Sequence, residues 1–185
     1  MNAAGTEIHS RFLVTNVITT GDDVAQWLGI QPPRNNATYD AGAAVLKNYQ
    51  EYDMINCKLT YTPAVGSTTP GQMWFGYYDN PEIIYVALSG SYSPTQLLLL
   101  AQCSPDSYST PVWQPIELPT PMRKRRSRLA VDTTSVTSNE RADMTTHGIW
   151  IVASVGAPEV TLLGSITMDY SARGFTLQNQ SITVI

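Results

Sequence analysis

A chain of 185 residues is long enough to bury one sizeable core, and its 43% hydrophobic content excludes an intrinsically disordered polymer. Only 14% of residues are charged, against roughly 25% in an average soluble protein, a surface suited to burial against further copies of the same chain. A formal net charge of −4 gives no overall basic field to draw the chain to nucleic acid, and no run approaches the roughly 18 apolar residues of a membrane span.

Residues 7–20, EIHSRFLVTNVITT, are rich in β-branched and aromatic side chains with partial alternation, which predicts a strand. The following GDDVAQWLGIQP reads either as a short helical turn opening at Asp22 or as a second strand. PPRNNATYD is loop chemistry, since Pro and Asn end regular structure. AGAAVLKNYQEYDM, residues 41–54, is predicted helical, capped by Asp40, with Ala44, Leu46, Tyr49 and Met54 sharing much of one face. MINCKLTYTP predicts a strand, VGSTTPG a turn, QMWFGYYDN another strand and EIIYVALSG a further one. SPTQLLLLAQC predicts a short helix, with Ser93 as cap and Pro94 at the first helical position, where its missing N–H is not needed. Five prolines between Ser104 and Pro121 exclude helix there and leave VWQPIELP as an edge strand or extended segment. RLAVDTT and GIWIVASVG predict strands, and EVTLLGSITMDYSARGFTL a long strand or hairpin. The sum is an all-β chain of eight or nine strands, a β-sandwich with two or three short helices in the connections. One domain is expected over 1–185, with 1–6 as a short N-terminal extension.

Chemistry-bearing motifs are sparse. His9 and His147 lie far apart in sequence, no GxSxG elbow is present, and GSTTPG lacks the lysine of a phosphate loop. Cys57 and Cys103 fall in no motif and set no disulfide framework, in keeping with a reducing compartment. No charged-then-apolar leader is read at the start, so Asn36 and Asn179, which fit the glycosylation pattern, are expected to be chance matches. The composition therefore points away from an enzyme.

The strongest signal is the basic run RKRRSR. Arg123, Lys124, Arg125, Arg126 and Arg128 are five of the eleven basic residues of the chain, and such a block repels itself unless something anionic meets it. It suits RNA phosphates, acidic residues of a neighbouring subunit, or a solvated or nuclear-localisation-like loop. The second feature is YYDNPE. Asp79 ends a predicted strand and Glu82 follows three residues on, a pair that either supplies oxygens to calcium or makes an ordinary turn. Trp74, Phe75, Tyr77 and Tyr78 offer base stacking or, at strand spacing, core and interface packing.

YQEYDMINCKLTYTPAVGSTTPGQMWFGYYDNP resembles the shell-domain segment of coat proteins from small icosahedral plant RNA viruses of the tombusvirus and sobemovirus type. The resemblance runs through Tyr49 and Tyr52, read as the end of a helix, then Leu59, Tyr61 and Pro63, then Thr68, Thr69 and Gly71, then Tyr78, Asp79 and Pro81. IQPPRNNATYD and LLGSITMDYSARGFTL are similar to the flanking and closing segments of the same domain. The family's basic arm has no counterpart in residues 1–7, which hold no Lys or Arg, and Glu82 stands where its calcium motif has a second aspartate. The resemblance implies an eight-stranded jelly roll that self-assembles, many copies together, into a shell round single-stranded viral RNA. It would be found in the virion, and in the host cytoplasm during assembly, with calcium at Asp79 and Glu82 and no membrane partner. The alternative is a jelly-roll binding module, either lectin-like for carbohydrate or a viral movement-type RNA-binding protein.

Overall fold

The computed structural model describes residues 5–19, 25–30, 40–80, 93–122, 129–131, 146–159 and 161–177. Among these are nine strands and two helices. They are β1 (Thr6–Ile18), β2 (Ala25–Gly29), α1 (Ala41–Leu46), β3 (Tyr49–Pro63), β4 (Gln72–Tyr78), α2 (Pro94–Cys103), β5 (Asp106–Pro111), β6 (Ile116–Pro119), β7 (Leu129–Ala130), β8 (Ile149–Val155) and β9 (Leu162–Leu177). One sheet has the order β1-β9-β3-β6, with the two-residue β7 also pairing β3, and the other has the order β2-β8-β4-β5. Every pairing is antiparallel. The chain crosses repeatedly between the sheets, and setting the short β7 aside leaves two four-stranded sheets, an eight-stranded jelly roll.

The core lies between the two sheets. Tyr52, Cys57, Leu59, Tyr61, Ile166 and Met168 face Met73, Phe75, Tyr77, Trp150 and Val152 across it, all buried. Aromatic rings bridge the layers: Tyr61 and Phe75 lie 6.0 Å apart between centroids, and Tyr77 and Trp150 5.3 Å apart within the second sheet. Both lie in the range of favourable tilted packing. The polar tips of Trp150 and Tyr61 are satisfied inside. Trp150 Nε1 donates to Thr120 Oγ1 at 3.0 Å, and Tyr61 Oη lies 2.6 Å from the Val112 carbonyl and 3.0 Å from that of Leu163.

The two sheets differ in their outer faces. β9 alternates buried and part-exposed residues along most of its length, as a strand with one wet face does. β8 is buried at six consecutive positions because α2 covers its second face. Ser93 caps α2 with Pro94 in its first turn, as the sequence predicts, and Gln96 adds to that expectation by completing a reciprocal capping box. The helix sits so close to β4 that a Cβ on Gly76 would lie 2.7 Å from Ala101 Cα and carbonyl O.

The helix predicted over residues 41–54 is corrected to six residues, and Tyr49 to Met54 belong to β3. Tyr49 and Tyr52 therefore begin a strand rather than end a helix. Two facts explain the error. Asn48 Nδ2 donates to the carbonyls of Ala44 and Val45 and stops the helix at its second turn. A β-bulge between Met54 and Asn56 then shifts the inward phase of β3 from Tyr52 and Met54 to Cys57, Leu59 and Tyr61, so the period of two is broken in the sequence. The GDDVAQWLGIQP alternative resolves to strand β2, and VWQPIELP contains the edge strand β6. The predicted strand EIIYVALSG lies outside the described residues, as does most of RLAVDTT.

Asp40 ties helix to sheet. It is buried to 1% exposure and caps α1, accepting from the Ala43 N–H at 3.0 Å. The same carboxylate accepts from Ser10 Oγ of β1 at 2.7 Å and from Tyr170 Oη of β9 at 3.0 Å. Asp40→Ala removes the cap and leaves a buried phenol without its acceptor, at about 1 kcal/mol for the first and about 1–3 kcal/mol for the second. Urea unfolding is expected to show a lowered midpoint with an unchanged slope; a midpoint within error of the parent would exclude this role. Gly76→Ala is expected to cost about 1–3 kcal/mol by forcing α2 off β4, as overpacking does, and to lower the thermal midpoint. An unchanged midpoint would mean that the helix can lift without loss.

Candidate functional site

A concavity lies on the outer face of the first sheet. It is a shallow groove of about 610 Å³ lined by His9, Arg11, Asn56, Lys58, Asp169 and Ser171, with Ser10 and Tyr170 at its base. Register explains the set. His9, Ser171 and Asn56 form one cross-strand row over β1, β9 and β3, and Arg11, Asp169 and Lys58 form the next. The charges are laid out in alternation. Arg11 Nε lies 3.5 Å from Asp169 Oδ1, Lys58 Nζ 3.1 Å from Glu117 Oε2, and Arg173 Nη2 3.4 Å from Glu7 Oε2. Exposed pairs of this kind contribute about 0–1 kcal/mol each, so they set the sign of the surface more than the stability of the fold.

One grouping here was not legible in the sequence. His9 Nδ1 lies 2.7 Å from Ser171 Oγ, and its Nε2 lies 3.4 Å from Glu7 Oε1, so hydroxyl, imidazole and carboxylate meet across 162 residues. The signal was the pairing of β1 with β9, which no local pattern announces. The trio lies on an open sheet face. β9 is paired on both sides, so its N–H groups belong to the ladders and cannot form an oxyanion hole. The arrangement is a surface hydrogen-bond chain and not a nucleophilic site.

Four ionisable groups in or beside the core are held toward their protonated forms. Burial pushes the Cys57 thiol up to about 12 against a modest opposing hydrogen bond from Thr120, so no thiolate forms near neutral pH. Burial likewise raises Tyr61 to about 12. Tyr170 is raised further, first by burial and then by the Asp40 charge, which keeps its proton on oxygen as the donor to that carboxylate. Tyr78 is raised by burial and then by Cys103, and its hydroxyl donates to the Leu100 carbonyl at 2.7 Å, fastening α2 to β4.

Asp79 lies at the exposed end of β4, where the sequence places it, and Asn80 follows, also exposed. Glu82 lies outside the described residues, as do Arg123, Lys124, Arg125, Arg126 and Arg128. Among the described residues no three His, Cys, Asp or Glu side chains converge on a point where a metal ion would sit. A calcium ion at Asp79 needs oxygens from beyond them. Trp74 and Tyr78 pack beside α2, while Phe75 and Tyr77 are buried between the sheets, so these four aromatics form packing and not one stacking platform. No helix of the described residues is long and apolar enough to cross a membrane.

The arrangement of the sheets decides what the chain is similar to. It superposes on a chain of the tobacco necrosis virus structure with a TM-score of 0.74 at 14% identity, over 95% of this chain and 97% of that one. A chain of the mud crab tombus-like virus gives a TM-score of 0.74 at 16% identity, over 96% and 92%. The fold is the jelly roll that these virus structures share. A chain of melon necrotic spot virus matches with a TM-score of 0.73 at 15% identity; there the match covers 94% of this chain but only 56% of that one. No family model and no curated protein matches the chain in sequence.

A pH dependence follows from the buried groups of this jelly roll. Cys57 and Tyr61 have ordinary values of 9.0 and 10.0 and are held near 12 when folded. Above those ordinary values the unfolded chain releases protons that the folded chain retains. Stability is therefore fully present below about pH 9 and is lost as pH rises toward about 12, with a slope approaching about 1.4 kcal/mol per pH unit for each group. Urea midpoints measured across that alkaline range are expected to fall steadily. A flat profile there would show that the two groups are not shielded.

Proposed function

We propose that this chain is a capsid protein whose copies assemble into a closed shell round single-stranded RNA. The observation that carries the reading is the superposition of 94–96% of the chain on chains from virus structures, at TM-scores of 0.73–0.74. At 14–16% identity that likeness speaks to the fold, and the function rests on two further supports. The surface is poor in charge for its size, which lowers the cost of burying it against copies of itself. The outer face of the first sheet alternates positive and negative groups and so presents complementary charges to another copy. The role is structural, with the virion as its setting.

In this reading Arg123, Lys124, Arg125, Arg126 and Arg128 meet the RNA. Arranged round a symmetry axis, the run would recur many times and neutralise phosphates without reading bases. The test is to express the chain, image it by electron microscopy, and compare it with a variant carrying Ser at Arg123, Lys124, Arg125 and Arg126. The parent is expected to form closed particles containing RNA, and the variant to form shells poor in RNA. Parent RNA affinity should fall with salt at a log–log slope of about −0.7 per phosphate contacted. Failure of the variant to assemble would place the run at a contact between subunits. Particles with a full RNA load would remove it from RNA binding altogether, and a parent that stays monomeric across salt and pH would overturn the capsid reading.

A further inference from the structure

β1 leaves one long edge open. Twelve of its thirteen residues pair with β9 on one side, and among the described residues no strand lies on the other. The remaining sheet edges are short or guarded. β6 has four residues between Pro115 and its own Pro119, β5 has six between Pro105 and its own Pro111, and β2 has five. β1 contains neither proline nor glycine. A row of free N–H and C=O groups this long is a template for another strand, and proteins ordinarily shorten, charge or interrupt such an edge. Here the prolines protect two edges, while β1 carries charged side chains and is bulged near Val14 and Ile18 but runs in unbroken register from Thr6 to Leu13.

The side chains on that strand say which strand fits. Glu7, His9 and Arg11 point outward and are exposed, with side-chain exposures of 42%, 69% and 64%, while Ile8, Ser10 and Phe12 turn toward the core. An interface between identical copies must be self-complementary about a two-fold axis. An antiparallel pair centred on His9 meets that condition. Glu7 of each copy falls opposite Arg11 of the other, Ile8 falls opposite Ser10, and the wet faces of both sheets stay on one side. Moving the centre to Ser10 sets His9 against Arg11 and leaves Glu7 facing Leu13, so the alternative register loses the charge match. The pairs that Glu7 and Arg11 already make within the chain are long, at 3.4 and 3.5 Å, and leave acceptors and donors over.

We infer that β1 is a docking edge for a second copy of this chain, joined antiparallel about a two-fold axis at His9 so that Glu7 of each copy faces Arg11 of the other. The inference deepens the capsid reading by naming one contact between subunits, and rests on that reading only for the identity of the occupant.

Cysteine cross-linking tests it on the full chain. Cys103, which is exposed, is first replaced by Ser, while Cys57 is buried and is left in place. Cysteines bridge only when their Cα atoms lie within about 7 Å. Under mild oxidation, His9→Cys is expected to give a disulfide-linked dimer by itself. Glu7→Cys and Arg11→Cys are expected to give dimer when mixed and none when alone. Leu13→Cys is expected to give none, since its two copies would lie roughly 27 Å apart at about 3.4 Å per residue. Circular dichroism on each variant confirms that it is folded. Absence of dimer from both His9→Cys and the mixed pair overturns the inference, and so does an equal yield from Leu13→Cys. Closed particles without the His9→Cys cross-link would overturn this contact and leave the capsid reading standing. The cross-link without particles would uphold the contact and overturn the capsid reading.

Discussion

The structure depends on the pairing of β9 on both of its edges. Over sixteen residues this strand takes β1 on one side and β3 on the other, so the two longest remaining strands are registered against a single template. A shift of one residue would carry every inward side chain to the wet face, and Ile166, Met168 and Tyr170 would leave the core together. β1 and β3 each keep the correct phase by absorbing one extra residue, near Val14 and Ile55, while β9 pairs with both. The rest of the sandwich is built on the face that this arrangement turns inward.

Asp40 extends the same constraint to the connection before β3. A carboxylate with 1% exposure persists only when its oxygens are occupied. Ser10 comes from β1, Tyr170 from β9, and the Ala43 N–H from the first turn of α1. These groups converge only when both strands and the helix are in place. The network is therefore a check on assembly as well as a cap, and it plugs the end of the inner face where α1 lies against β1 and β3.

Much of this was legible in the sequence where a local rule was obeyed. The Ser93 and Pro94 start of α2, the turn ending at Gly71, and the proline-bounded β6 all follow from chemistry within a few residues. What could not be read was whatever depends on a distant strand. Tyr49 to Met54 looked helical because Ala-rich residues precede them and a bulge breaks their alternation, and pairing with β9 overrides both. The continuous apolar run of β8 predicts a strand without saying that a helix will cover it. The groove on the outer sheet face was missed for the same reason, since His9, Asn56 and Ser171 are neighbours only through register. Asp79, by contrast, closes β4 because Asp-Asn-Pro ends strands by local chemistry.

The two cysteines differ in a way that gives the molecule an internal clock. Cys103 is unbridged and exposed on α2, open to an alkylating reagent. Cys57 is sealed between the sheets, with its proton held by burial, and reacts only when the sandwich opens. When reclosing outruns alkylation, the ratio of their labelling rates reports the population of open molecules, with the first thiol as reference and the second as gauge. Because both thiols belong to one chain, the measurement is independent of concentration in a free subunit. If the chain assembles as proposed, slowing of Cys57 in the particle relative to the free chain would measure the stability that neighbours add.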